Sequence, residues 1–112
     1  MTVLKEEIRE IAARVYPKVI EYRQHLHSNP ELSFKEYQTS AFVKGRLTEI
    51  GIEWKSVTET GIVGIIKGDK PSDKVIALRA DMDALPITEQ NEVAYASKNI
   101  GVMHACGHDC HT

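Results

Sequence analysis

The densest chemistry in this 112-residue sequence is the run Met103-His104-Ala105-Cys106-Gly107-His108-Asp109-Cys110-His111. Three of the five histidines and both cysteines fall inside it. Thiolate and imidazole are good ligands for zinc and similar borderline metals. Cys106 and His108 are two apart, so an extended loop would turn both toward one ion. Gly107 between them would allow a tight turn. Asp109 could then accept an imidazole N–H, as carboxylates beside metal-bound histidines do. Other uses of the same residues are a packing role and a redox pair of Cys106 with Cys110, although redox pairs more often sit closer together. A zinc finger would need a second, separate ligand pair, and there is none.

A second group is Arg79-Ala80-Asp81-Met82-Asp83-Ala84-Leu85-Pro86. It follows an apolar, β-branched stretch and so stands where a buried strand would end. In α/β sheets ligands gather beyond the carboxyl ends of strands. Asp81 and Asp83 could bind a metal, or accept a proton from a ligating histidine and fix its ring. The plain alternative is that they terminate the strand, as Asp commonly does.

The elements that must position these residues can be read from periodicity. Leu4, Ile8, Ile11, Val15, Val19, Tyr22 and Leu26 recur at spacings of three and four, which is one helix face. Pro17 predicts a kink or two abutting helices. His25 and His27 lie on different sides of that helix and are expected to be solvated or capping. Ser28-Asn29-Pro30 stops the helix. Ser33 with Glu36 fits a capping box, predicting a second helix from about Phe34 to Ile50, ended by Gly51. Strands are expected at 52–57, 61–67 and 74–79, with the polar turn 68–73 closing a hairpin between the last two. The stretch 83–101 reads as irregular.

Composition sets outer limits. The apolar fraction of 42% and charged fraction of 27% are ordinary for a globular chain. A net charge of −2 with no basic tract argues against nucleic acid or an anionic membrane as partner. No apolar run approaches the roughly 20 residues of a membrane span. The amphipathic, charged start lacks the pattern of a signal peptide, so a cytoplasmic location is expected. The order of elements predicts an α/β fold, a mixed sheet with helices on its faces. The chain stops at Thr112 inside a dense motif, so an incomplete domain is expected.

Three runs together, RQHLHSNPELSFKE (23–36), RADMDALPI (79–87) and GVMHACGHDCHT (101–112), resemble the zinc metallopeptidase family of amidohydrolases. The branch they are most similar to includes N-acyl-amino-acid amidohydrolases, hippurate hydrolases and hydrolases of indole-acetyl amino acid conjugates. Ile100, and Val93-Ala94 before Tyr95, depart from that branch's usual proline and Leu-Pro, in a loop.

The resemblance implies a di-metal, aminopeptidase-like hydrolase, with residues 1–112 as the N-terminal part of its α/β/α catalytic domain. The C-terminal half and a lid or dimerisation domain would lie outside these residues. It implies two divalent ions (zinc, manganese or cobalt), with Cys106 bridging them and His108 binding one. Asp83 would be the carboxylate that orients the site, and Asp81, His104, Asp109 and His111 would support it. The general base and remaining ligands would not be in this chain; Glu31, Glu36 and Glu89 match no such position. The implied substrate is a small N-acyl amino acid or peptide-like amide, and the implied assembly a homodimer or homo-oligomer. A different class of function is a non-catalytic metal-binding or interaction domain derived from this fold.

Overall fold

The computed structural model describes residues 2–112. Helix α1 spans Thr2–Ser28, α2 Tyr37–Glu49, strands β1 and β2 Glu53–Ser56 and Ile62–Ile65, and a one-turn helix α3 His108–His111. The chain is thus mixed α/β, as expected. No helix among the described residues is long and apolar enough to cross a membrane.

Helix α1 runs through Pro17 as one element rather than as two abutting helices. The proline removes one backbone donor, and the remaining ladder holds the rod together. Its C-terminal end is fastened by side chains. Asn29 Nδ2 donates to the carbonyl of His25 at 2.7 Å, and Ser28 Oγ donates to that of Gln24 at 2.8 Å. Both satisfy carbonyls that a helix end leaves without a partner. Pro30 follows, fully buried.

The second helix starts at Tyr37, later than expected, and the Ser33–Glu36 capping box does not form. Glu36 occupies the cap position and makes no side-chain cap bond. Phe34 has φ 63°, a left-handed conformation. This turn folds the chain back, and Glu31 closes the helix start instead. Its carboxylate accepts the backbone N–H of Gln38 at 3.1 Å and of Thr39 at 2.6 Å, plus the Thr39 hydroxyl at 2.6 Å. A carboxylate there also faces the positive end of the helix dipole. Glu36 reaches away, accepting from Thr60 Oγ1 at 3.0 Å and tying α2 to the β1–β2 turn.

The expected hairpin is displaced along the chain. β1 and β2 pair antiparallel, with Glu53 opposite Ile65 and Ser56 opposite Ile62. Residues 74–79 join no ladder. The apolar pattern there is genuine, but Val75, Ile76 and Leu78 are 91%, 88% and 96% exposed, so no neighbouring strand receives them. A strand needs a partner to satisfy its backbone, and periodicity alone does not supply one.

Candidate metal centre

Two short backbone pairings hold the site. Ala84 N donates to Glu31 O at 2.8 Å, in a parallel bridge of Leu32 with Ala84. Leu85 and Met103 exchange N–H···O bonds of 2.9 and 3.0 Å across an antiparallel bridge. The segment carrying Asp83 is thereby fixed between the chain leaving α1 and the chain entering α3. The stretch expected to be irregular contains these two points of order.

Gly107 does not sit in an extended loop. It has φ 92°, the left-handed region that glycine enters without a Cβ penalty, and His108 opens α3 directly after it. His108 Nδ1 lies 3.0 Å from Asp83 Oδ1 and 2.9 Å from the Asp83 carbonyl. Two acceptors at Nδ1 place a proton there, so it donates, and in the neutral ring the lone pair is at Nε2. This carboxylate–imidazole pairing is the one that fixes a metal-ligating histidine's tautomer. Cys106, on the other side of Gly107, is exposed and free of disulfide, as is Cys110.

The remaining expected residues are placed unequally. The Asp81 carboxylate is taken by Arg79, at 2.9 Å from Nε and 2.8 Å from Nη2, and does not join Asp83 at the histidine. Its carbonyl accepts from Thr112 Oγ1 at 2.8 Å, latching the end of α3. His111 is exposed. His104 is buried, and neither ring nitrogen has a partner among the described residues. Burial pushes its pKa down, keeping the ring neutral.

Asp109 is buried and does accept an imidazole N–H, but from α1. His27 Nδ1 donates to Asp109 Oδ2 at 2.8 Å, and Arg23 Nε donates to the same oxygen at 2.9 Å. His27 is therefore not solvated or capping: it is 4% exposed, and its Nε2 donates to Glu89 Oε1 at 2.9 Å. Glu89 also accepts from Ser97 N at 2.6 Å and Asn91 Nδ2 at 3.1 Å. The Ser97 backbone bond, with help from His27 and Asn91, lowers the Glu89 pKa to about 2. Tyr95 closes the cluster, edge-on to His27 at 5.6 Å with the Arg23 guanidinium over its ring at 5.1 Å. Helical spacing alone had no means of finding His27, because its partners lie more than 60 residues away. All three glutamates withheld from the base role, Glu31, Glu36 and Glu89, are engaged in structural bonds.

Among the described residues, no three His, Cys, Asp or Glu side chains converge on one point able to hold a metal ion. The donor chemistry still fits part of a site, with a fixed imidazole lone pair and an exposed thiol flanking one glycine.

Residues 77–112 match the model of peptidase family M20/M25/M40. The N-acyl-L-amino acid amidohydrolase of Geobacillus stearothermophilus is 50% identical over 109 residues, covering 96% of this chain and 29% of the relative. Thermostable carboxypeptidase 2 of Saccharolobus solfataricus is 49% identical over 110 residues, covering 96% and 27%. The crystal structure of the YXEP protein of Bacillus subtilis, described as a dinuclear metal-binding peptidase of family M20, superposes with a TM-score of 0.81. The two are 45% identical, over 87% of this chain and 28% of that one. Residues 77–112 thus carry the M20 family pattern, and the chain is similar to a solved M20 peptidase over 87% of its length. It spans between 27% and 29% of the length of these relatives.

Proposed function

We propose that this chain supplies the first part of a metal site that hydrolyses the amide bond of N-acyl amino acids or similar small peptide-like conjugates. The observation that carries the reading is the His108–Asp83 pair, whose Nδ1 is committed to oxygen acceptors at 2.9 and 3.0 Å and whose Nε2 is left as a donor atom. His108 Nε2 and the Cys106 thiolate would hold the metal, Asp83 would orient His108, and the two-ion description of the Bacillus subtilis structure would apply. Such ions acidify water and polarise a carbonyl. Within this chain, Asp83 holds the His108 proton at Nδ1, and Thr112 and Asp81 latch the turn that presents both donors.

Residues 1–112 would form the N-terminal part of the catalytic domain, and the chain alone would be inactive, its general base and further ligands being supplied from elsewhere. The exposed Val75, Ile76 and Leu78 support this, because so apolar a segment is suited to burial in a larger sheet. We assign the protein to the cytoplasm, with a small-molecule substrate, no nucleic-acid partner, and a homodimeric or homo-oligomeric holoenzyme.

Titration of the chain with cobalt(II) tests the metal reading. A thiolate charge-transfer absorption should appear, weakly held, and Cys106→Ser should abolish it while Cys110→Ser leaves it. Absence of the band in the unsubstituted chain, or its loss with Cys110 rather than Cys106, overturns the assignment.

A further inference from the structure

We propose that His27, with Arg23, is a positioning residue for His108, acting through Asp109. The inference rests on the reading of His108 as a metal ligand, but its geometry is independent of any ion. Arg23 and His27 are four apart on α1 and share a face. Both donate to one oxygen, Asp109 Oδ2, at 2.9 and 2.8 Å. Asp109 is the residue after His108 in a helix of one turn. Successive helical side chains diverge by roughly 100°. Pinning Asp109 to α1 therefore sets the rotation of α3, and that rotation turns His108 toward Asp83, at 3.0 Å. A four-residue helix cannot fix its own orientation, since an isolated turn is far below the length at which helices persist.

The second nitrogen of His27 makes the clamp a junction. Its bond to Glu89 at 2.9 Å fixes the ring's rotation, and Glu89 in turn holds Ser97 N at 2.6 Å. The loop between Asp83 and α3 is thus tied to the same imidazole that holds α3. The side chains of His27, Asp109 and Glu89 are 5%, 1% and 5% exposed, so water does not compete for these bonds.

Asparagine and glutamine separate the two bonds of His27, since an Asn amide falls near Nδ1 and a Gln amide near Nε2. Ring-nitrogen NMR of His108 in the metal-free chain reads whether its proton is held at Nδ1. The unsubstituted chain should show that single tautomer. His27→Gln, which keeps the Glu89 bond and gives up the one to Asp109, should lose it and show a mixture. His27→Asn should restore it. If His27→Gln leaves the His108 tautomer fixed, or His27→Asn fails as His27→Gln does, the positioning role is overturned. Should His27→Gln not fold, a folded His27→Asn with His108 fixed supports the role, and an unfolded one reduces His27 to a packing residue and overturns it. The cobalt titration reads the metal assignment separately: a chain with no thiolate band but a His27-dependent His108 tautomer would lose the former and keep the latter.

Discussion

Two parts of this molecule obey opposite rules. Where the end of α1 meets 81–112, the interior is polar. His27, Ser28, His104 and Asp109 are buried there, alongside the apolar side chains of Leu26, Pro30, Ala84 and Val102. Along the first turns of α1 and in 74–79, the surface is apolar: Val3, Leu4 and Ile8 are more than half exposed, and Leu78 almost wholly. The polar part is nearly complete, the two His104 ring nitrogens excepted, because hydrogen bonds saturate. Once Asp109 has Arg23 and His27, and Glu89 has His27, Asn91 and Ser97, little more is demanded. Apolar burial has no such endpoint; it continues until surface is covered. The chain thus contains nearly all the bonding partners of its polar cluster and few of the packing partners of its apolar faces.

The sharpest way to break the comparison is to remove the acceptor at its centre. Asp109→Ala would leave Arg23 Nε and His27 Nδ1 without their shared acceptor, with Glu89 the one carboxylate still bonded to His27. Breaking one side of a buried ion pair costs about 3–5 kcal/mol, and partial hydration of Arg23, 31% exposed, puts this case near 3 kcal/mol. Hydrogen exchange at the Leu85 and Met103 amides should speed up accordingly, by about a hundredfold if opening is the exchange route. Exchange within a factor of three of the unsubstituted chain would show that the polar cluster does not hold the segment.

How much of this was legible beforehand follows from the same division. The fold class could be read because periodicity is local, and the His108–Asp83 contact joins two of the runs that stand out in the sequence. Helix α2 lies close to its expected span, but the expected cap does not form. Ser33 and Glu36 have the right spacing, and only the left-handed turn at Phe34 brings Glu31 over the helix start instead. The expectation for His27 fails for a related reason: its role depends on Glu89 and Asp109, distant in sequence and near only in the fold. The strand expected at 74–79 failed in the opposite sense. Its pattern is right for a sheet interior, yet pairing needs a neighbour that residues 2–112 do not provide.

A second, smaller effect should appear in acid. The Glu89 pKa is lowered to about 2, chiefly by the Ser97 backbone bond. A carboxylate depressed on folding binds its proton more readily in the unfolded chain. Its contribution is therefore complete above the ordinary carboxylate range, near ~4.3, and is lost as pH falls from there through about 2. Denaturant midpoints measured across that interval should decline, and Glu89→Gln should flatten the decline while lowering stability at neutral pH. A decline of equal steepness in Glu89→Gln would assign it to other carboxylates.

The smallest effect is expected where hydrophobicity is highest. Substitutions at exposed sites usually stay within about 0.5 kcal/mol, so Leu4→Gln, Ile76→Thr and Leu78→Thr should barely move the denaturation midpoint of this chain. The same changes should reduce its binding of an apolar-surface dye and its self-association, since they remove exposed apolar surface. In a protein of the relatives' full length the Leu78 substitution should instead cost a buried leucine's share, about 2–5 kcal/mol by analogy with truncation to alanine. The contrast between the two backgrounds is the measurement that matters. If Leu78→Thr costs several kcal/mol in the 112-residue chain itself, then 74–79 is already packed there, and the apolar part is as complete as the polar one. If it costs nothing in either background, the segment stays at the surface in the longer protein too, and its burial in a larger sheet is ruled out.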